Sequence, residues 1–312
     1  MNQLILDGHS LTIDQVISVA YDSIVKIQLS ESAKPQIQKA ADAVKAFVDN
    51  KSIVYGITTG FGAFKDRIIS PEHVNCLQQN ILVSHAVGVG DKLDLPTTKA
   101  MIVIRANTLT QGYSGIRLET LEFLINLLNL GIIPVIPEKG SLGASGDLAQ
   151  LAHMSLPLIG LGEVIVNDIQ MPACDALELF NLSPISLCAK EGLALTNGTA
   201  FMTALGLLTC DAAEKLITTA NVTAALTLEA LNGTPIAFDP KIHQLRPHRG
   251  QLAIARQLRS LLSDSELTRG EDPLNVQDAY TLRCIPQVHG AILDALTHTK
   301  GVLETELNAV TD

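Results

Sequence analysis

Gly140-Ser-Leu-Gly-Ala-Ser-Gly-Asp147 is the stretch of this 312-residue chain that says most about its fold and its chemistry. If a tight turn presses the Gly146 nitrogen against the Ala144 carbonyl carbon, a five-membered ring can close, because glycine lacks a Cβ and alanine is small. Loss of water from the ring and from the Ser145 hydroxyl would leave an exocyclic methylene, an electrophile that ordinary side chains do not provide. For the tripeptide alone, the alternative interpretation is a flexible Gly/Ser loop that caps a helix.

Outward from this loop, most of the sequence predicts helix. Asp147 is expected to begin a helix that runs toward Leu156, where Pro157 would stop it. A helix is predicted over 97–111, which contains neither glycine nor proline, and another over 116–130, where apolar residues recur at helical spacing. Further helices are predicted over 199–231, with Gly206 as its one weak interior position, and over 250–263 and 288–310. Residues 159–172 predict a small hairpin, because an alternating apolar run precedes Asn167-Asp168.

Composition narrows the class of protein. Apolar residues make up 47% of the chain and charged residues 17%, which is too hydrophobic for a disordered chain. The apolar surplus favours an oligomer interface over a membrane. The apolar stretch 200–210 is interrupted by Asp211, Glu214 and Lys215, so no membrane span is predicted. The first residues carry no basic start followed by an apolar region, so no secretory signal is expected.

Charge and cysteine usage exclude further classes. A net charge of −10 without basic runs argues against nucleic acid and anionic membranes as partners. The five cysteines are widely spaced and include no Cys-x-x-Cys pair, which favours the reducing cytoplasm. The eight histidines include no His-Glu-x-x-His spacing and none beside a cysteine cluster, so no metal site is predicted.

The run Gly140-Ser-Leu-Gly-Ala-Ser-Gly-Asp-Leu-Ala resembles the central sequence of the aromatic amino acid ammonia-lyase family, which includes histidine, phenylalanine and tyrosine ammonia-lyases and related aminomutases. In that family Ala-Ser-Gly cyclises to 4-methylidene-imidazol-5-one, which implies the same for Ala144, Ser145 and Gly146, with no metal and no nucleotide. One departure is Gln150, where the family usually has proline. A proline would rigidify the first helical turn, so its absence points to a less rigid loop.

A second segment, Val54-Tyr-Gly-Ile-Thr-Thr-Gly-Phe-Gly62, places three glycines close to Tyr55 and predicts a mobile or closely packed loop. Its spacing matches neither a Walker A loop nor a dinucleotide fingerprint. It resembles the family's lid loop, which implies that Tyr55 is the catalytic base and that Gly60, Phe61 and Gly62 belong to the lid. The alternative for a lone tyrosine is a buried ring with a satisfied hydroxyl.

A third segment, 277–287, reads Gln-Asp-Ala-Tyr-Thr-Leu-Arg-Cys-Ile-Pro-Gln. On a helical turn Tyr280 and Arg283 would share a face, and the planar fork of an arginine suits a substrate carboxylate. The segment resembles a family motif, with Thr281 in place of the usual serine. The resemblance implies that Arg283 binds the carboxylate, Tyr280 is catalytic and Gln277 lines the site; the alternative is a surface ion pair.

Two shorter segments complete the resemblance. Leu193-Ala-Leu-Thr-Asn-Gly-Thr199 is similar to a family segment whose asparagine contacts the ring and the substrate, which implies this role for Asn197; read alone, it only begins a helix. Ser84-His85 is similar to histidine ammonia-lyases at this point. His85 could hydrogen-bond an imidazole, or a phenol in a tyrosine-selective relative, although a structural histidine is the alternative.

The resemblance implies a mainly helical, fumarase/aspartase-like fold that ends within the central helical bundle. Residues 1–200 would carry the Ala-Ser-Gly loop and the tyrosine lid, and 201–312 would begin the bundle. The implied activity is non-oxidative loss of ammonia from a small aromatic amino acid, with L-histidine going to urocanate in a cytoplasmic homotetramer. The alternatives are a tyrosine or phenylalanine ammonia-lyase, an aminomutase, or a non-catalytic fragment or assembly-only homologue. The family's C-terminal half normally supplies an acidic residue near the substrate, so weak or absent activity is expected of 312 residues alone.

Overall fold

The computed structural model describes residues 3–21 and 25–312 of the chain. These residues form two compact units. The first comprises Met1–Gly206 together with Glu304–Asp312, and the second is Leu207–Leu303. The boundaries between the units fall within two long helices, α9 (Ala200–Ala230) and α13 (Ile285–Leu307).

Helices form most of both units. In chain order they are α1 (Ile13–Tyr21), α2 (Lys34–Asp49), α3 (Pro71–His85), α4 (Leu95–Thr110), α5 (Leu118–Asn129), α6 (Leu148–Ser155), α7 (Ala173–Leu179), α8 (Glu191–Thr196), α9 (Ala200–Ala230), α10 (Pro240–Gln244), α11 (Arg249–Leu261), α12 (Tyr280–Arg283) and α13 (Ile285–Leu307). Seven short strands accompany them: β1 (Gln3–Leu6), β2 (Lys26–Leu29), β3 (Val89–Lys92), β4 (Ile133–Pro134), β5 (Pro137–Lys139), β6 (Glu163–Val166) and β7 (Ile169–Pro172). The mainly helical fold predicted from the sequence is confirmed.

The core of the first unit is built around α4. Apolar residues occur on all sides of this helix, and its residues from Ala100 to Thr110, including Arg105 and Asn107, are buried without exception. A helix that is apolar all round has no face for solvent and is covered on every side, here by α1 and α5 among others. Its start is fixed by the Asp94 carboxylate, which accepts a hydrogen bond of 2.8 Å from the Thr97 amide.

Residues 304–312 return to the first unit and are held there by Asn308. The Asn308 side chain accepts from the Leu11 amide at 3.0 Å and donates to the Leu11 carbonyl at 2.8 Å, as a neighbouring strand would. The buried side chain of Asn107 donates to the Leu307 carbonyl at 3.1 Å. These bonds satisfy the backbone groups of Leu11 and the carbonyl at the end of α13, and they hold the last residues within the first unit.

Three small sheets support the helices. β1 pairs with β2 in parallel, β3 with β5 antiparallel, and β6 lies between β4 and β7. The predicted hairpin is confirmed as β6–β7. Its two turn residues, Asn167 and Asp168, have φ of 48° and 65°, the left-handed pair that a two-residue hairpin requires.

The predicted helices are present with ends shifted by a few residues. Pro157 does end α6, which gives way at Ser155 to a single 3-10 turn, Leu156–Ile159. In the second unit, α9 and α11 contribute to a core centred on Phe238, which is almost fully buried. That core also contains Ala225, Leu228, Ile254, Leu258, Leu262, Leu282 and Ile285.

One helical stretch corrects an expectation from the sequence. Residues Glu191–Ala230 are long and apolar enough to span a membrane by length and composition alone, because the charges near Asp211 are too few to fail that test. Of the most apolar window, 56% is buried inside the structure. Core helices of soluble proteins meet the same criterion, so the feature is weak evidence for a membrane span.

The side chain of His153 on α6 gives the first unit a pH-dependent contact. Its Nε2 accepts a hydrogen bond of 3.0 Å from the Gly88 amide, and burial lowers the pKa of His153 below its ordinary value. The folded state therefore binds a proton less readily than the unfolded chain does. The contribution of the neutral His153 side chain to stability is present at neutral pH. It is lost as the pH falls through the pKa of the unfolded state, near 6.5, toward the pKa of the folded state.

We expect His153→Gln, which keeps an acceptor but does not titrate, to reduce the loss of unfolding free energy between pH 7.5 and pH 5.5. The measurement is urea unfolding at both pH values for the two proteins. His73→Gln is the matched control, because His73 lies on the surface, where its Nδ1 is 2.8 Å from the Ser70 hydroxyl oxygen. Equal losses in the parent chain and in His153→Gln would contradict the assignment.

Candidate active site

The 140–147 loop folds back upon itself. Gly146 makes isolated β-bridges to both Gly143 and Ala144, so the chain reverses within four residues. Gly146 has φ of +90°, a conformation that side-chain-bearing residues rarely adopt. Ala144 and Ser145 are exposed at the tip of the reversal. The turn that ring closure requires is therefore built into the loop.

A second glycine forms the wall against which Gly146 lies. A Cβ on Gly146 would collide with the Gly198 carbonyl oxygen and would lie 2.8 Å from the Gly198 nitrogen. The next residue of the loop, Asp147, donates its amide to the same Gly198 oxygen at 2.7 Å. Only two glycines permit backbones to approach this closely, and the contact fixes the loop against residues 197–199.

Asp147 occupies the N-cap position of α6, as predicted, but its carboxylate acts elsewhere. It makes no capping bond to α6 and instead accepts from the Met202 amide at 2.9 Å, at the start of α9. Burial raises the pKa of Asp147, while bonds from the Met202 and Phe201 amides lower it. The carboxylate thus caps the long helix α9 and ties its first turn to the loop.

Ser145 and Asn197, two residues predicted to act together, are in contact. The Ser145 hydroxyl donates to Asn197 Oδ1 at 3.3 Å. Asn197 directly follows α8, whose last residue is Thr196, and precedes the glycine wall at Gly198. A single short segment therefore contacts both the hydroxyl and the backbone of the Ala-Ser-Gly loop.

Gln150 corrects the expectation of a less rigid loop. It is almost completely buried, and its Nε2 donates to the Pro137 carbonyl at 3.2 Å. Its Oε1 accepts from the Ser141 hydroxyl, which also accepts from the Ala149 amide at 3.0 Å. The Gln150 side chain thus ties Pro137 and Ser141, at the start of the loop, to α6. The sequence did not reveal this bracing role.

The lid segment is closely packed at its base and exposed at Tyr55. Thr58 and Thr59 are buried, whereas 58% of Tyr55 is exposed. The Tyr55 ring meets Phe61 edge to face at 6.3 Å between centroids, and its hydroxyl accepts from the Gly62 amide at 3.4 Å. Of the two structures that the sequence allowed, the loop adopts the packed one, with the phenol presented to solvent.

His85 lies at the end of α3 in a defined tautomer. Its Nδ1 is 2.8 Å from the Ile81 carbonyl oxygen, which can only accept, so Nδ1 carries the hydrogen and Nε2 of the neutral ring is an acceptor. The residue lines a largely apolar cavity of about 380 Å³. Its other walls include Gly60 and Phe61 from the lid, Phe64 two residues beyond the lid, and Ile81 and Ser84 from α3.

The other predicted residues belong to the second unit. Arg283 lies over the Tyr280 ring, 5.5 Å from its centroid, so the two share a face of the short helix α12 as predicted. Arg283 Nε donates to the Asp278 carbonyl at 3.0 Å. Within the described second unit no acceptor engages its two terminal nitrogens, which leaves the fork available to a carboxylate. Gln277 is exposed just ahead of this helix.

These residues fit the ring that the family resemblance implies. The loop reverses at Ala144–Gly146, its third residue has the backbone conformation and the clearance of glycine only, and its serine hydroxyl is held. Among the described residues, no group of three or more His, Cys, Asp or Glu side chains could hold a metal ion.

Three elements of the site were not evident from sequence reasoning. The sequence predicted only that Gly198 precedes a helix. The glycines of the Ala-Ser-Gly loop and of the Asn197-Gly198 pair could have suggested a close contact between their backbones. The bracing by Gln150 and the bonds of Asp312 to this region depend on contacts between distant residues, for which the sequence offers no local signal.

Comparison with known proteins agrees with this geometry. The sequence profile described as "Aromatic amino acid lyase" matches residues 11–312. A histidine ammonia-lyase of Chloroflexus aurantiacus is 56% identical over the whole chain, which covers 60% of that protein. Among solved structures, the histidine ammonia-lyase from Trypanosoma cruzi superposes with a TM-score of 0.90 and 38% identity, covering 99% of this chain and 58% of the other. A tyrosine aminomutase from Streptomyces globisporus superposes with a TM-score of 0.93 and 34% identity over 99% of this chain and 62% of its own.

The chain spans about three fifths of the length of the relatives it matches. The match of the family profile nevertheless covers all but the first ten residues, and it includes every loop from which the site was built. This chain belongs to the aromatic amino acid lyase family.

Proposed function

We propose that the complete protein removes ammonia from L-histidine without oxidation and forms urocanate, using an electrophile made from Ala144, Ser145 and Gly146. The observation that carries the proposal is the contact of this loop with Asn197 and Gly198, in which the Ser145 hydroxyl is held and Gly146 is pressed against backbone. The identity of 56% with a histidine ammonia-lyase supports the choice of amino acid.

The reacting groups have distinct tasks. When formed, a 4-methylidene-imidazol-5-one ring supplies an electrophilic methylene carbon that ordinary side chains lack. Tyr55 takes the proton from the β-carbon of the substrate, and the exposure of this residue on the lid supports that role. The free fork of Arg283 holds the substrate carboxylate by two hydrogen bonds, with Tyr280 beside it and Gln277 at the edge.

The choice of histidine over other aromatic substrates rests on His85. Because its Nδ1–H is used by the Ile81 carbonyl, its Nε2 offers a lone pair to an N–H of the substrate imidazole. The apolar cavity beside it accepts the ring itself. A benzene ring has no N–H to donate to this acceptor, so the hydrogen bond that favours histidine is not formed.

An aminomutase is the second candidate. The TM-score with the Streptomyces globisporus tyrosine aminomutase, 0.93, is as high as those with lyases, so the fold does not separate the two reactions. An aminomutase would return ammonia to the neighbouring carbon and yield a β-amino acid. Chromatography of the products distinguishes the two reactions.

We also propose that the protein works in the cytoplasm as a homotetramer. All five cysteines are free thiols in the structure, which suits a reducing compartment. On α9 of the second unit, Leu216 and Leu226 are largely exposed, and such apolar surface is normally covered by a partner subunit.

We expect a chain extended to the length of its relatives to convert histidine to a product with the absorbance of urocanate. In that chain His85→Leu should lower kcat/KM for histidine roughly tenfold to a hundredfold, because an imidazole N–H loses its acceptor. Ser84→Ala is the matched control, since the Ile81 carbonyl still orients the ring. Turnover of tyrosine or phenylalanine but not histidine would contradict the proposed substrate.

Gln150 provides a second test, on ring formation itself. Each completed ring removes two waters, about 36 Da, from the intact mass. We expect Gln150→Leu to slow this loss about tenfold, because the Pro137 carbonyl and the Ser141 hydroxyl lose their partner.

The control for Gln150 is a substitution that restores rigidity by another route. Gln150→Pro puts the family's usual residue in the first turn of α6, and it should lose the two waters at close to the parent rate. If Gln150→Leu is as fast as the parent chain, or Gln150→Pro is as slow as Gln150→Leu, the bracing role is wrong.

A further inference from the structure

The carboxylate of Asp312 is buried among donors close to the Ala-Ser-Gly loop. Its Oδ2 receives Lys190 Nζ at 2.6 Å, and its Oδ1 receives Asn197 Nδ2 at 3.4 Å. The exposed fractions of the Lys190 and Asp312 side chains in this ion pair are 16% and 3%. A buried carboxylate is retained only where such partners satisfy it, so the position of Asp312 is tightly determined.

This carboxylate decides which way the Asn197 amide faces. An asparagine side chain has an NH2 group that donates and an oxygen that accepts, and the two are nearly equal in shape. A carboxylate can only accept, so it selects the NH2 group of Asn197 and turns Oδ1 toward the Ser145 hydroxyl, 3.3 Å away. Without the carboxylate, either orientation of the amide would suit a hydroxyl, which can both donate and accept.

Two neighbours of Asp312, Lys190 and Arg105, are held in energetically unfavourable states. Lys190 has φ of 72°, a left-handed conformation that is unfavourable for lysine and that persists only where the surroundings impose it. Arg105 is completely buried, and among the described residues its Nε and Nη1 have no hydrogen-bond partner. Burial lowers the pKa of Arg105 to about 10, and the charge of Asp312 opposes that change.

The same segment also supports the glycine wall. A Cβ on Gly198 would lie 2.9 Å from the Thr311 hydroxyl oxygen and 3.2 Å from Arg105 Cζ. Residues 311 and 312 and the buried guanidinium therefore back the segment whose other side meets Ser145 and Gly146. We call Arg105, Lys190, Asn197 and Asp312 the Asp312 cluster. Asp312 is its one anion.

We propose that Asp312 is a positioning residue for formation of the electrophile: it fixes the Asn197 amide so that Oδ1 accepts from, and thereby orients, the Ser145 hydroxyl. The inference rests on the proposed function, because it concerns the ring made from Ala144, Ser145 and Gly146. The side chain of Asp312 bonds to Lys190 and Asn197, and it acts on Ser145 through Asn197.

The step that Asp312 assists is the second of two dehydrations. Ring closure joins the Gly146 nitrogen to the Ala144 carbonyl carbon, and the first water carries away that carbonyl oxygen with hydrogens from the Gly146 and Ser145 nitrogens. The second water takes the Ser145 hydroxyl and its Cα hydrogen and leaves the methylene. Its rate depends on the direction of the Cβ–O bond, which the bond to Asn197 Oδ1 sets.

The first experiment follows the loss of two waters by intact mass in protein sampled during cell-free synthesis. We expect Asp312→Ala to slow this loss about tenfold, because the amide of Asn197 is no longer held. Asp312→Asn can turn either its oxygen or its NH2 group toward Asn197, so it no longer selects one orientation of that amide, and we expect a rate between those of the parent and Asp312→Ala. Lys190→Ala is the matched control, since it removes the ion pair but leaves the bond from Asp312 to Asn197.

If Lys190→Ala slows the loss as much as Asp312→Ala, the ion pair has only a structural role and the proposal is wrong. An unchanged rate in Asp312→Ala also overturns it. Thermal unfolding of each variant, measured on the same samples, separates slow ring formation from failure to fold.

A second readout does not depend on ring formation. In Ser145→Ala, which cannot form the methylene, the two Nδ2 protons of Asn197 are followed by nuclear magnetic resonance. We expect slow exchange of the proton bonded to Asp312, preserved in Lys190→Ala and lost in Asp312→Ala. If the signals do not respond to Asp312→Ala, the inference fails; if they respond but the parent chain never loses two waters, the proposed function fails instead.

Discussion

The first unit depends on one close contact between two backbones, that of Gly146 with Gly198. Neither residue can carry a side chain there, since a Cβ on Gly146 would meet the Gly198 nitrogen at 2.8 Å and one on Gly198 would meet Arg105 and Thr311. The bond from the Asp147 amide to the Gly198 oxygen, 2.7 Å long, fixes the distance. A loop held in this way cannot relax into an open coil, which is the condition for an amide nitrogen to approach a carbonyl carbon two residues earlier.

Elements from distant parts of the sequence hold this contact in place. The carboxylate of Asp147 caps α9, the side chain of Gln150 braces the loop's entrance, and the buried helix α4 brings Arg105 beneath Gly198. The bonds from Asn308 to Leu11 return the last residues of the chain to the same unit, where Asp312 reaches Asn197. Local chemistry at the loop therefore depends on the packing of the whole first unit.

Sequence reasoning succeeded where the signal is local. The helices around α4 and α5 follow from apolar spacing without glycine or proline, and the β6–β7 hairpin follows from Asn167-Asp168, whose side chains tolerate the left-handed turn. The pairing of Tyr280 with Arg283 follows from helical spacing alone. The family resemblance predicted that Asn197 lies beside the Ala-Ser-Gly loop, and the Ser145 hydroxyl does donate to it.

Prediction failed where the partner is remote in sequence. Asp147 was expected to cap its own helix, but its carboxylate instead accepts a hydrogen bond from the amide of Met202, 55 residues later. Gln150 appeared to loosen the loop because its partners, Pro137 and Ser141, become visible only when the loop closes. Parallel pairing of β1 with β2 likewise depends on tertiary contacts that periodicity does not encode.

The most direct test of the central claim is the mass of one tryptic peptide, residues 140–190, which follows Lys139 and contains no internal Lys or Arg. If the loop is pressed into a ring as described, this peptide from folded protein is lighter than its sequence by about 36 Da, the mass of two waters, and fragmentation assigns the loss to residues 144–146. In Ser145→Ala the second water cannot leave, so the full loss of about 36 Da is absent. A peptide of unaltered mass from folded protein that turns over its substrate would contradict the account.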